Sequence, residues 1–168
     1  MEDFTKALGE SENFGDVFEV VKSSVKHHLQ KERGGLMLVL ANLPMQLGAF
    51  HSLGSNSIVM NKTLLDRVVS SGNSPTYVKS FVYSILLHEY LHSLGLVDEK
   101  DVRNLVREVS FATFGPAHPA SKVAAEGPWS LLSNSGSKEL LLHADEVESS
   151  DVELIRDFDR SHIASYIS

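Results

Sequence analysis

The residues best suited to chemistry are two histidines and a glutamate in the run His88-Glu89-Tyr90-Leu91-His92. In an α-helix, residues four positions apart lie one turn apart on the same face, so both imidazoles can reach one metal ion. Glu89 lies beside that pair, where its carboxylate can reach a water molecule on the metal. A zinc ion is a Lewis acid that lowers the pKa of such a water to about 7, and a glutamate can take the proton. The spacing therefore predicts zinc ligands at His88 and His92 and a general base at Glu89.

The run lies inside a predicted helix at residues 75–94, where polar residues interrupt a largely apolar sequence and the flanks of the run, residues 85–87 and Leu94, are apolar, which is typical of a buried helix. Ser74 suits the N-cap of that helix, and Pro75 suits its first helical position. Two histidines and a glutamate are costly to bury unless something satisfies them. A metal ion would satisfy all three, so the apolar surroundings favour a metal site over a purely structural core.

The five-residue run is the signature of the zincin metallopeptidases, and the chain resembles the smallest of them, the minigluzincins, over roughly residues 16–114. The resemblance implies zinc-dependent hydrolysis of peptide bonds. It also implies that the edge strand of a small sheet lines the cleft and pairs with an extended peptide. Residues 48–53 or 57–60 would form that strand.

A catalytic zinc ion takes three protein ligands, and the first candidate for the third is Asp98. With Gly95 it completes the spacing His-Glu-x-x-His-x-x-Gly-x-x-Asp, which is similar to that of the metzincins, although no methionine follows Met60 to make their methionine turn. The competing interpretation makes Asp98 the N-cap of the next helix. We predict Asp98 as the third ligand.

Three other residues could complete the site instead. Gluzincins take a glutamate from the following helix, and Glu108 fits that position because it borders the apolar stripe of the helix predicted at residues 98–114. Glu99 and His118 are further candidates. The sequence leaves the choice among them open.

The elements that must position these residues follow from hydrophobic spacing and turn signals. Residues 1–15 are polar and are predicted to be loosely ordered. The fold class is α/β (α+β), zincin-like, with a small mixed sheet packed on the long motif helix and a second helix after it. Helices are predicted at residues 16–32, 62–70, 75–94 and 98–114, and strands at residues 36–40, 46–53 and 57–60.

A change of composition near residue 133 predicts two parts, a zincin-like domain at residues 1–132 and an acidic C-terminal extension at residues 133–168. The extension also contains apolar residues, which predict a strand and a helix that dock back. It could instead lie across the cleft and keep the enzyme latent. Both interpretations stay open.

Composition excludes several classes of function. The chain has 168 residues and no cysteine, which excludes disulfide scaffolds, cysteine-ligated zinc, iron–sulfur clusters and cysteine nucleophiles. Its net charge of −7 argues against nucleic acid as a partner. No apolar stretch approaches the roughly 20 residues that cross a bilayer, and the acidic N-terminus lacks a signal-peptide pattern, so we expect a cytoplasmic protein with no membrane partner.

The sequence thus predicts a Zn²⁺-dependent peptidase acting on a peptide or protein substrate. The alternative is a catalytically silent metal-binding module that binds a partner peptide along its edge strand.

Overall fold

The computed structural model describes residues 3–52, 54–132 and 152–160. Within these residues the fold is mixed α+β, with six helices and a four-stranded sheet. The helices are α1 (Phe4–Glu10), α2 (Phe14–Leu29), α3 (Lys62–Ser70), α4 (Pro75–Ser93), α5 (Glu99–Phe114) and α6 (Pro119–Glu126), followed by a short 3₁₀ turn, Pro128–Leu131. The strands are β1 (Met37–Ala41), β2 (Ala49–His51), β3 (Ser57–Asn61) and β4 (Glu153–Ile155).

Helix α4 is the centre of the molecule. It begins as predicted, with the Ser74 side chain accepting a hydrogen bond from the backbone N–H of Tyr77 and with Pro75 in the first turn. It is apolar around its circumference, which is the pattern of a helix buried on all sides. Tyr83, Leu87 and Leu91 are fully buried. The motif run therefore lies in the best-packed element of the fold.

The sheet is mixed, with the strand order β2-β3-β1-β4. Strands β1 and β3 are parallel, and the two edge strands β2 and β4 each run antiparallel to their neighbour. The predicted strands at residues 36–40 and 57–60 are confirmed. The strand predicted at residues 46–53 is much shorter, because residues 44–47 form a turn closed by a hydrogen bond from the Leu47 N–H to the Pro44 carbonyl (3.0 Å).

The expectation that residues 1–15 are loosely ordered is wrong for the part that the structure describes. Helix α1 is capped by Asp3, and helix α2 begins two residues earlier than predicted because Asn13 caps it. Phe4 and Leu8, one turn apart on α1, are both buried. That apolar pair holds the short helix on the core.

Residues 152–160 of the predicted extension are part of the same fold. Strand β4 pairs with β1, and the ring of Phe158 stacks on Phe18 with a centroid separation of 4.1 Å. The Asp159 carboxylate accepts hydrogen bonds from the Leu36 N–H (2.9 Å) and the Lys22 ammonium (2.8 Å). The predicted strand in the extension is therefore present, on the sheet edge opposite β2. The proposed position across the cleft and the predicted docking helix concern residues 133–151 and 161–168, outside the described residues.

None of the described helices combines the length and the apolar character that a membrane-spanning helix needs.

Replacing Phe158 tests whether this segment stabilises the fold. Phe158 is 2% exposed and Leu154 on β4 is 58% exposed. We expect Phe158→Ala to lower the free energy of unfolding by about 3–5 kcal/mol, because it opens a cavity in the core. Leu154→Ala is the matched control and should change it by less than about 0.5 kcal/mol. Chemical denaturation of both variants measures the difference, and equal values would contradict the packing described here.

Candidate metal centre

Three side chains from two helices converge at the C-terminal end of α4. His88 and His92 lie one turn apart on α4, with ring centroids 5.0 Å apart. Oε1 of Glu99, the first residue of α5, lies 2.9 Å from Nε2 of His88 and 2.6 Å from Nε2 of His92. The possible ligand atoms of these three residues all lie within 4.8 Å of one another.

The turn between the two helices makes this approach possible. Gly95 adopts φ +101°, in the region that residues with a side chain rarely occupy. Its N–H and that of Leu94 bond back to carbonyls of the last turn of α4. The chain then reverses within a few residues, and α5 begins beside the two histidines.

The hydrogen-bonding of His92 fixes which nitrogen faces Glu99. Its Nδ1 lies 2.7 Å from the Leu96 carbonyl, an acceptor, so Nδ1 carries the hydrogen. In a neutral imidazole of that tautomer, Nε2 presents a lone pair to the Glu99 carboxylate at 2.6 Å. Two lone pairs at that distance repel, so a positive charge belongs between them. Either a proton on Nε2 or a metal ion in its place supplies it.

The donor set fits a zinc ion. Two imidazole nitrogens and one carboxylate oxygen are a ligand set of catalytic zinc sites, which keep one further position open. The carbonyl that holds Nδ1 of His92 is the outer partner that a metal-bound histidine usually has. Zinc is one candidate for such a set, and the geometry alone identifies the ligand type rather than the metal.

The structure groups Glu99 with the histidines, and it places Asp98 elsewhere. The Asp98 side chain accepts a hydrogen bond from the Asp101 N–H (3.1 Å) and so caps α5, the competing interpretation of that residue. Because the carboxylate of a cap residue turns back over its own helix, the longer side chain of the next residue reaches the histidines. The cluster of described side chains thus contains Glu99 at the place for which the sequence predicts Asp98.

The other two candidates do not join the cluster. Glu108 lies nine residues after Glu99 on α5, which is about two and a half helical turns, and so it occupies the opposite face. His118 caps α6 by accepting a hydrogen bond from the Ala120 N–H (3.0 Å), and its ring stacks on Phe114. Glu108 is exposed there, and His118 has structural contacts of its own.

Glu89 is buried next to the cluster. It is 6% exposed, and burial raises its pKa to about 7, with a smaller opposing effect of His92 and a reinforcing effect of Glu99. Burial also lowers the pKa of His88 against the opposing effect of Glu99. Burial alone would raise the pKa of Glu99, but its hydrogen bonds with both histidines hold it below its usual value. A carboxyl group whose pKa is near 7 is well matched to taking and returning a proton at neutral pH.

A cleft of about 480 Å³ opens beside the cluster, and both His88 and Glu89 line it. One wall is the loop before β2, where Gly48 approaches α4 so closely that a Cβ there would lie 2.8 Å from Cδ1 of Ile85. Trp129 closes one side, held by a hydrogen bond from its Nε1 to the Met45 carbonyl (2.7 Å). Helix α5 forms the other wall.

The edge strand β2 presents free backbone groups at this cleft. The Asn61 N–H donates to the Gly48 carbonyl (2.9 Å), and Phe50 is paired with Val59 in the same register. Because hydrogen-bonded and non-hydrogen-bonded pairs alternate along an antiparallel ladder, Ala49 directs its N–H and C=O away from β3. Ala49 lines the cleft, so an extended peptide there could pair with it.

No protein-family model, curated protein or solved structure matches the chain. The assignment of function therefore depends on the chemistry of this site.

Thermal unfolding with and without zinc distinguishes Glu99 from Asp98 as the third ligand. A metal held at about 100 times its dissociation constant stabilises the folded state by about 2.7 kcal/mol, which corresponds to a Tm increase of about 5–10 °C for a chain of this size. We expect that increase in the unaltered protein and in Asp98→Ala. Glu99→Ala should lose most of it.

The adjacent variant is the control for damage to α5. Asp98→Ala removes an N-cap and should cost about 1 kcal/mol without zinc while keeping the zinc-dependent increase in Tm. The reverse pattern, with the increase lost in Asp98→Ala and kept in Glu99→Ala, would contradict the geometry.

Proposed function

We propose that this protein is a zinc-dependent peptidase. The observation that carries the proposal is the placement of Glu99 Oε1 within 3 Å of both His88 Nε2 and His92 Nε2, in a cleft that also contains the buried Glu89. The resemblance of the run at residues 88–92 to the zincin signature supports the same function. The N–H and C=O groups of Ala49 that point away from β3 also support it, because a peptide substrate could pair with them.

In this proposal His88, His92 and Glu99 hold the zinc ion. When bound, zinc supplies Lewis acidity, which lowers the pKa of water and polarises a carbonyl group. A neutral imidazole and an ionised carboxylate are the forms that ligate a metal. The low pKa values of His88 and Glu99 both favour those forms near neutral pH.

Glu89 is the general base. Its side chain follows His88 on α4 and lines the same cleft, so its carboxylate is placed to accept a proton from the attacking water. The same group then donates that proton to the leaving amine. Burial favours the neutral carboxylic acid and so makes the Glu89 carboxylate a stronger base, which helps it to take the proton from water. Helix α4 holds the side chain in place because most of its other residues are buried in the core.

The peptide lies extended along β2 in this proposal. The outward N–H and C=O of Ala49 pair with its backbone as a further strand would. Backbone pairing holds the chain regardless of sequence, so selectivity depends on side chains elsewhere in the cleft. Gly48 suits this arrangement because no side chain intrudes between the strand and α4.

Replacing Glu89 by glutamine separates binding of the metal from catalysis. We expect Glu89→Gln to retain about one zinc ion per chain, because Glu89 is not among the proposed ligands, and to lose at least about 100-fold in kcat, because glutamine cannot accept the proton. Elemental analysis and cleavage of a quenched fluorescent peptide library provide the two measurements.

Glu108→Gln is the matched control, since it makes the same chemical change on the opposite face of α5 and should leave both measurements unchanged. Zinc bound by the unaltered protein with no cleavage of any library peptide would overturn the peptidase proposal. That result would favour the silent metal-binding module, which has the same cluster and the same open strand edge.

A further inference from the structure

Helix α5 carries a row of three charged residues along the cleft. Glu99, Arg103 and Arg107 are spaced four residues apart and all line it. Residues at this spacing lie on one helical face and rise about 6 Å per step. The Cα atoms of Arg103 and Arg107 therefore lie about 6 Å and 12 Å beyond that of Glu99 along the helix axis.

Neither arginine has a carboxylate partner within the part of the chain that the structure describes. By contrast, the Arg160 guanidinium lies 2.6 Å from the Asp16 carboxylate, and that of Arg33 donates to the Ser93 carbonyl (2.8 Å) and the Asn56 side chain (2.7 Å). The cleft thus holds two positive charges that no described side chain neutralises by an ion pair.

The lining also contains carboxylates, but none of those described forms an ion pair with Arg103 or Arg107. Beyond Glu89 and Glu99, one other described acidic residue, Glu126, lines the cleft. Much of the remaining surface is apolar, from Ile85, Val106 and Trp129. In a protein with a net charge of −7, the part of the α5 wall beyond Glu99 is thus locally basic, because its charged lining residues are the two arginines.

We propose that Arg103 and Arg107 bind a carboxylate of the peptide substrate and give the enzyme a preference for an acidic group near the scissile bond. This inference rests on the proposed function. An extended peptide advances about 3.3 Å per residue, so distances of about 6 and 12 Å place that group about two to four residues from the bond. The carboxylate belongs either to an aspartate or glutamate side chain or to the C-terminus of the peptide.

Arginine suits this role because its planar guanidinium donates two parallel hydrogen bonds to one carboxylate. Both arginines are exposed before substrate binds. Exposed ion pairs are weak, and a bound peptide that covers them strengthens the pair by excluding water. We expect a preference of about threefold to tenfold for the charged ligand.

Binding to the zinc-loaded Glu89→Gln protein tests the inference without depending on turnover. Trp129 is the single tryptophan of the chain and lines the cleft, so its fluorescence reports occupancy. Four peptides of one sequence serve as probes: an aspartate or an asparagine at the third residue from the bond, each with a free or an amidated C-terminus. A lower Kd for both aspartate peptides identifies a side chain, and a lower Kd for both free acids identifies the C-terminus.

Charge variants assign the preference to the arginines. Arg103→Ala and Arg107→Ala should each reduce it, and Arg107→Glu should abolish or reverse it, while zinc content stays unchanged. Arg67→Ala on α3 removes an arginine that does not line the cleft, and it should keep the full preference. Equal Kd values for all four peptides, or a preference that survives Arg107→Glu, would overturn the inference.

The two proposals fail in different ways. Cleavage by the unaltered protein with no discrimination between charged and uncharged peptides would overturn the carboxylate site and leave the peptidase proposal standing. Charge-selective binding with no cleavage would overturn the peptidase proposal alone.

Discussion

One carboxylate oxygen facing two imidazole nitrogens is the interaction on which this site depends. Glu99 Oε1 lies within hydrogen-bond distance of Nε2 of both His88 and His92, and the Leu96 carbonyl fixes the hydrogen of His92 on the other nitrogen. These groups belong to helices α4 and α5, whose apolar sides pack in the core. Because Nε2 of His92 and the Glu99 carboxylate both present lone pairs at 2.6 Å, that contact is stable only with a positive charge between them. The chain reversal at Gly95 brings Glu99 next to the two histidines.

The opposite wall of the cleft depends on a second buried polar residue, Asn61. Its side-chain oxygen accepts hydrogen bonds from the N–H groups of Leu43 and Leu64, and its amide donates to the carbonyls of Pro44 and Leu47. One fully buried side chain thus caps α3 and also fixes the loop before β2. Since every polar atom of the amide is satisfied, that loop is well defined although it contains little regular structure. The half-exposed Glu99 carboxylate therefore organises the side of the cleft with the histidines, and the buried Asn61 amide organises the side with β2.

The sequence predicts the motif helix and the inner strands well, because capping residues and apolar spacing are local signals. It does not distinguish Asp98 from Glu99, since both are acidic and adjacent, and the position of the first helical residue decides which one caps and which one projects. Glu108 borders the apolar stripe of α5 but lies on the face away from the cluster. Its spacing of nine residues from Glu99 shows this, but only after Glu99 is known to belong to the cluster. The cleft position of Arg103 and Arg107 follows from how α5 packs on α4, and spacing along one helix does not contain that information.

Helix α5 joins the two functions proposed for the cleft. It presents Glu99 in its first turn and the two arginines in the next turns, while Val102, Val106 and Val109 next to them are buried. A rigid helix fixes the distance between a ligand and a binding group better than a loop does. Metal binding at Glu99 would hold the N-terminus of α5 against α4, and the guanidinium groups would be held with it. The position of a substrate carboxylate relative to the scissile bond is then set by helical rise, so any change that shifts α5 along its axis would alter selectivity and metal affinity together.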